Sequence, residues 1–229
     1  MAFPLTHLLV ADLLLKGQLK DYGFDHGLFL LGSIAPDAVH YRKGFTDAKM
    51  SGIGDLKKHT HLIPAHNPEK WGQIKDTKGW EQSIVEFIGA NLRDSFMVGY
   101  AVHTLTDIFN TEGIWHRFTT NNPQEAAKGY DSEYYKDLRK IDTQLYHRVY
   151  VTSGIETKLS GVTPQGAPER VTADEVAAIR QSLLDQYVGT QDIDSSDYSY
   201  VTYDEVLQFV QDAAGYCARV ILANIKSPV

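Results

Sequence analysis

The chain has 229 residues, 43% of them hydrophobic, and a formal net charge of −7. That length and apolar share suffice to bury a sizeable core in one domain, or one domain with an appendage. The acidic balance argues against a long nucleic-acid track, where a basic stripe is expected, but leaves compact phosphate esters open. The single cysteine, Cys217, excludes an intrachain disulfide.

An apolar N-terminal run, Leu8, Leu9, Val10, Ala11, Leu13, Leu14 and Leu15, is interrupted by Asp12, with no basic segment before it and no small-residue cleavage site after it. The pattern is therefore a helix rather than a signal peptide, and no stretch is long and apolar enough to span a bilayer. Val10, Ala11 and Leu14 share one helical face with His7, which is either a residue of the capping region or a ligand. The stretch GLFLLGSIAPDAVHYR, residues 27–42, predicts an apolar helix ending near Gly32 and broken by Pro36. A proline forces the residue before it out of the helix, so Asp37 is presented from a turn. His40 lies three residues on, and the two converge if a helical turn resumes.

Residues 43–81 are rich in Gly, Lys, Asp and Pro and predict a long loop with short helices. Within it, KKHTHLIPAH carries His59, His61 and His66. In an extended backbone His59 and His61 share a side, and in a helix they diverge. His66, followed by Asn-Pro, reads as a turn residue. Helical period returns over residues 80–109, with a break near 91–95.

The most informative stretch is FMVGYAVHTLTDIFNTEGIW, residues 96–115. His103 and Asp107, four apart, project from one helical face, while Met97, Val98, Tyr100, Ala101, Val102, Leu105, Ile108 and Phe109 cover most of the circumference. A carboxylate buried there requires a cation, hydrogen bonds or a metal. Gly99, one turn earlier on the same face, leaves room for another backbone or a ligand. An HxxxD pair by itself is more often the mark of a core histidine satisfied by a carboxylate.

Residues 111–123 predict a loop holding Glu112 and His116, and 131–150 a helix carrying His147. Residues 151–170, with their Gly, Pro, Thr and Ser, predict another loop. Two capping boxes, Thr172 with Glu175 and Thr202 with Glu205, start two more helices. Cys217 falls on the apolar face of the last one. Asp192, Asp194 and Asp197 lack the glycine and terminal glutamate of a calcium loop and read as a solvated turn. The chain is expected to be all-α, with a metal-binding helical core over 1–150 and C-terminal helices over 151–229 packed on the same domain.

In chain order the sequence supplies His7, Asp37 with His40, His59 and His61, then His103 with Asp107. Imidazole and carboxylate ligands suit zinc and also nickel, iron or manganese, and the absence of thiolate favours an open catalytic site over a closed structural one. The early Thr6-His7, LGSIAPDAVH at 31–40, KHTHL at 58–62 and GYAVHTLTDI at 99–108 resemble the zinc-dependent phospholipase C family of bacteria, related to the S1/P1 nucleases. The run YYKDLRKIDTQLY, 134–146, is similar to the family's short, non-secreted branch, which implies a cytoplasmic protein.

The resemblance implies an all-helical fold and a metal-dependent phosphoester hydrolase. It implies Asp37, His61, His103 and Asp107 as metal ligands, Asp107 bridging two ions, and His7 on the second ion. His40 and His59 are further candidates. The third ion of secreted relatives uses later ligands. His116 and His147 are the available histidines here, but their spacing does not match, so one or two ions, zinc first, are expected. The implied substrate is a small phosphoester rather than extended nucleic acid, and the oligomeric state is unread. Asp37 and Asp107 are the candidate catalytic carboxylates, Asp37 as acceptor of the attacking water's proton. Tyr41, Arg42, Lys57 and Lys58 are candidates for steadying the substrate phosphate. The competing reading is a helical domain whose metal serves stability or sensing. An HD-type phosphohydrolase needs an adjacent His-Asp pair, which does not occur.

Overall fold

The computed structural model describes residues 3–45, 56–69, 73–194 and 196–225. The expected all-α class is what the chain adopts. Among the described residues the only β feature is an isolated bridge between Ala167 and Val171. Helix α1 (Pro4–Lys16) is followed by α2 (His26–Gly32), a 3₁₀ segment (Ala35–Tyr41) and the short α3 (Leu56–Thr60). The long pair α4 (Thr77–Asn91) and α5 (Ser95–Glu112) comes next, then α6 (Ile114–Asn121), α7 (Pro123–Ala126) and α8 (Glu133–Leu145). The last of these runs on as a π-helical turn, Tyr146–Tyr150, into α9 (Val151–Ser153) and α10 (Ile155–Ser160). The chain closes with α11 (Ala173–Gln186) and α12 (Tyr203–Ile225).

Local chemistry sets the helix starts. Pro4 occupies the first turn of α1, where its missing N–H costs nothing. The carboxylates of Asp25, Asp76 and Asp94 accept from the first-turn amides of α2, α4 and α5. Both predicted capping boxes form: Thr172 Oγ1 accepts from Glu175 N, whose carboxylate accepts from Thr172 N, and Thr202 and Glu205 repeat the exchange.

Helix α5 is the axis of the fold, packed by α2, α4, α12 and α1. Its closest neighbour is α2, because two glycines face each other's backbone. A Cβ at Gly99 would lie 2.0 Å from the Phe29 carbonyl oxygen, and one at Gly32 2.0 Å from that of Phe96. The space predicted at Gly99 is therefore filled by backbone, which draws the chain after α2 against the His103 face of α5. Cys217, buried on α12, sets its sulfur 3.8 Å from Thr106 Oγ1 on α5.

Two loop expectations are corrected. Residues 111–123 are mostly helical, since α5 continues to Glu112 and α6 follows after Gly113. Helix α6 buries only Phe118, so its apolar signal is thin. Residues 151–160 are also helical, folded around Ile155 and Leu159 at helical spacing. Gly154, at φ 77°, makes the left-handed bend between α9 and α10. Of the predicted loop over 43–81, residues 46–55 and 70–72 lie outside the described residues. Among the described residues, no helix is long and apolar enough to cross a membrane.

Candidate metal centre

Four segments deliver five side chains to one buried point. His7 comes from the first turns of α1, Asp37 from the 3₁₀ segment, His61 from the end of α3, and His103 and Asp107 from the middle of α5. All three histidines are fully buried, and Asp37 and Asp107 are 9% and 3% exposed. Two overlapping triads, His7/Asp37/His103 and His61/His103/Asp107, each hold their ligand atoms within 4.8 Å of one another. Proline and the 3₁₀ turn do what the sequence suggested at 36–37: Asp37 turns inward, with Oδ1 3.4 Å from His61 Nε2 and Oδ2 3.9 Å from His103 Nε2. Asp107 Oδ2 lies 3.5 Å from His61 Nε2 and 3.7 Å from His103 Nε2, and its Oδ1 is 3.7 Å from His7 Nε2.

The imidazoles are fixed from behind. His103 Nδ1 is 2.8 Å from the Ser33 carbonyl, a contact made possible by the Gly32/Gly99 crossing, and His61 Nδ1 is 2.8 Å from the Lys57 carbonyl. A carbonyl only accepts, so both Nδ1 atoms carry protons and donate. This is the backing that orients ligand histidines in metal sites. It leaves the two Nε2 atoms facing each other at 3.2 Å. Two neutral imidazoles with their protons on Nδ1 would set lone pair against lone pair, beside two carboxylates. A cation bound by both nitrogens would relieve that repulsion.

His7 makes the same demand. Neither of its ring nitrogens has a hydrogen-bond partner among the described residues, nor does Asp107 Oδ1. The ring instead stacks on His103, with centroids 3.7 Å apart and planes 11° off parallel. Orphaned buried polar atoms cost free energy, and three at one point call for a ligand. A divalent metal answers all of them, so the donor set fits one.

The electrostatics agree. Burial pushes His61 down to about 3, only partly opposed by the neighbouring Asp37 carboxylate, and burial with the neighbouring His103 holds His7 well below the ordinary imidazole range. Burial raises Asp107, a penalty that an adjacent cation would offset. For Asp37 burial works upward too, but the Lys57 ammonium and the neighbouring His61 outweigh it and hold the carboxyl well below the usual range.

The other sequence candidates lie elsewhere. His40 is exposed, with Nε2 3.8 Å from Asp37 Oδ1 and 3.2 Å from Lys57 Nζ, on the outer side of the cluster. His59 and His61 diverge, as a helical backbone requires: His59 is exposed and contacts the Glu169 carbonyl at 3.0 Å. His116 lines a separate cleft with Glu69 and Trp115, and His147 contacts Thr190 Oγ1 at 2.9 Å. None of these three is brought to the cluster. Of the four phosphate candidates, Arg42 is committed to a two-pronged pair with Glu175, at 2.7 and 3.0 Å, and Lys58 to the carbonyls of Asn67 and Glu69. Tyr41 and Lys57 do line the cavity of about 230 Å³ that reaches Asp37, together with His40, Tyr130 and Tyr135. Sequence reasoning missed Tyr130 and Tyr135; the signal for Tyr135 is the Tyr134-Tyr135 pair in the first turn of α8, and Tyr130, in the turn before it, carries none.

Fold and site together define an all-helical protein with a buried imidazole–carboxylate cluster of metal-ligand type. The chain matches the Zinc dependent phospholipase C family over residues 6–220 and belongs to it. That family is one of zinc-dependent phosphoester hydrolases. Neither the curated proteins nor the solved structures compared with the chain give a match.

Proposed function

We propose that the chain hydrolyses a compact phosphoester at a centre of one or two zinc ions held by His7, Asp37, His61, His103 and Asp107. The observation that carries this reading is the facing Nε2 pair of His61 and His103 at 3.2 Å, with the orphaned His7 nitrogens beside it. His103, Asp37 and His61 are the core of the set, and His7 with Asp107 Oδ1 completes it. When bound, a divalent ion there makes a water molecule more acidic and offsets the negative charge gathering on the phosphoryl oxygens. Asp37 alone of the two carboxylates lines the cavity, and its depressed pKa keeps it ionised at neutral pH. It is thus placed to accept the water's proton. Asp107, sealed behind the histidines, orients and neutralises. The aromatic wall of Tyr41, Tyr130 and Tyr135 frames a cavity sized for a small group rather than a polymer. The reading of residues 151–229 as one unit with 1–150 draws support from Ile179 on α11, which lines the cavity, and from Cys217 on α12, which packs into α5.

Elemental analysis of the purified protein tests the centre, with His103→Ala and Asp107→Ala measured alongside. One or two equivalents of metal are expected in the native chain, lost in both variants with helicity retained. Turnover of aryl phosphomonoesters and phosphodiesters should fall to background in Asp107→Asn. A native chain that takes up no zinc, nickel, iron or manganese on reconstitution would overturn the reading. A second reading, in which the metal serves stability alone, draws on the distance of His116 and His147 from the cluster; metal uptake without hydrolysis of any ester in the panel would select it.

A further inference from the structure

Lys57 is an unusual lining for a cavity. It is 7% exposed, yet its ammonium stands 2.8 Å from Asp37 Oδ1 and donates to His40 Nε2 at 3.2 Å. The backbone of the same residue serves a different purpose, since its carbonyl accepts from His61 Nδ1 at 2.8 Å. Backbone and side chain therefore act separately: one orients a ligand histidine, the other puts a fixed positive charge on the cavity face of Asp37. Burying a lysine is costly unless it is paired, and this pairing sets the charge where a substrate group approaching Asp37 has to pass. The remaining wall is aromatic and apolar, from Tyr41, Tyr130, Tyr135, Phe3 and Ile179. Arg42 and Lys58, the other nearby cations from the sequence, are turned to Glu175 and to loop carbonyls.

We propose that Lys57 is the anion receptor of this cavity: its ammonium holds a non-reacting phosphoryl oxygen of the substrate beside Asp37. The inference rests on the metal-centre reading for what happens next to the phosphate, but the receptor itself is a property of the side chain. In a low-dielectric cavity an ammonium–phosphate hydrogen bond is among the stronger polar contacts. The small lysine head also suits a single oxygen, where an arginine would impose a two-pronged fit. The substrate class that follows is a phosphoester whose phosphate keeps at least one free anionic oxygen and whose substituent is small enough to lie against the aromatic wall.

The test uses the full chain, with inorganic phosphate as the probe and titration calorimetry as the readout. Native protein, Lys57→Met, Lys57→Gln and Lys57→Arg are compared, each with its metal content measured. Phosphate should bind about tenfold or more weakly to the Met and Gln variants, with metal content unchanged, and the Arg variant should recover most of the loss. Lys57→Gln keeps a donor to Asp37 and guards against misfolding of the Met variant. Equal phosphate binding by native and uncharged variants overturns the proposal, as does loss of metal from both uncharged variants, which would make Lys57 a support of the ligand set. A native chain without metal fails the metal-centre reading instead, and the phosphate comparison is made on that protein all the same, so the two failures are read separately.

Discussion

Two carboxylates, Asp107 on α5 and Asp142 on α8, are buried to nearly the same degree, at 3% and 5% exposure, each with Oδ1 lacking a hydrogen-bond partner among the described residues, but their other neighbours differ in kind. Around Asp107 stand three imidazoles: the Nε2 atoms of His61 and His103 face each other at 3.2 Å, and neither ring nitrogen of His7 has a hydrogen-bond partner among the described residues. Around Asp142 stand donors: Tyr187 O–H donates to Oδ2, and Gln186 Nε2 donates to it at 3.3 Å. Its walls are the stacked rings of Tyr146 and Tyr187, 4.2 Å apart, with no histidine among these contacts. Burial lifts the Asp142 carboxyl to about 7, only partly opposed by those two hydrogen bonds. Because its pKa is raised, Asp142 is neutralised by a proton, whereas a single proton on Asp107 could serve only one of the acceptors around it. Burial of a carboxylate does not make a metal site; a surrounding set of acceptors does.

The largest effect that separates the two regions is a pH dependence of stability from Asp142. Its pKa is raised on folding, so between about 3.8 and about 7 the folded state binds the proton more tightly than the unfolded one. The stabilisation is complete below that window and is lost as the pH rises through it, up to about 4 kcal/mol for three pKa units. Urea denaturation of the native chain and of Asp142→Asn at a series of pH values checks this. The Asn variant should lose that downward slope, and identical profiles would break the comparison.

A somewhat smaller effect tests how the metal centre is held. Gly99→Ala puts a methyl group on the Phe29 carbonyl, so the α2–α5 crossing must open. Overpacking of this kind costs about 3 kcal/mol. The shift also moves the Ser33 carbonyl away from His103 Nδ1, and loss of such backing weakens metal binding by roughly 10- to 100-fold. The same substitution should leave the Asp142 titration where it was. A parallel change in both would mean that the two regions are not independent.

How far the sequence reached follows from the same contrast. The α5 pair, the proline-presented Asp37 and the capping boxes were legible because each is local: a four-residue spacing, a backbone constraint, a side chain folding back on its own first turn. The convergence of His7 and His61 with them came only from the family resemblance, since no periodicity in α1 or α3 predicts a meeting across the core. The Lys57–Asp37 pair joins residues twenty apart through a loop without period, and nothing in KKHTHL tells Lys57 from Lys58 until the fold turns one inward and the other to loop carbonyls. The helices after Glu112 and Tyr150 escaped because they bury too few side chains to leave a stripe.

The smallest expected effect is the most selective. His59, His116 and His147 carry the same side chain as the ligands, and each has an ordinary explanation: a loop carbonyl, an open cleft, a threonine hydroxyl. Replacing each in turn with alanine should leave metal content unchanged and shift stability by no more than about 0.5 kcal/mol, as at other exposed or half-exposed positions. Elemental analysis beside thermal denaturation reads both quantities from one preparation. Loss of an equivalent of metal from His116→Ala or His147→Ala would enlarge the centre beyond the five converging side chains, and would require α6 or the π-turn after α8 to swing toward α5. Unchanged metal in all three confines it to residues whose nitrogens the fold has already left facing one another.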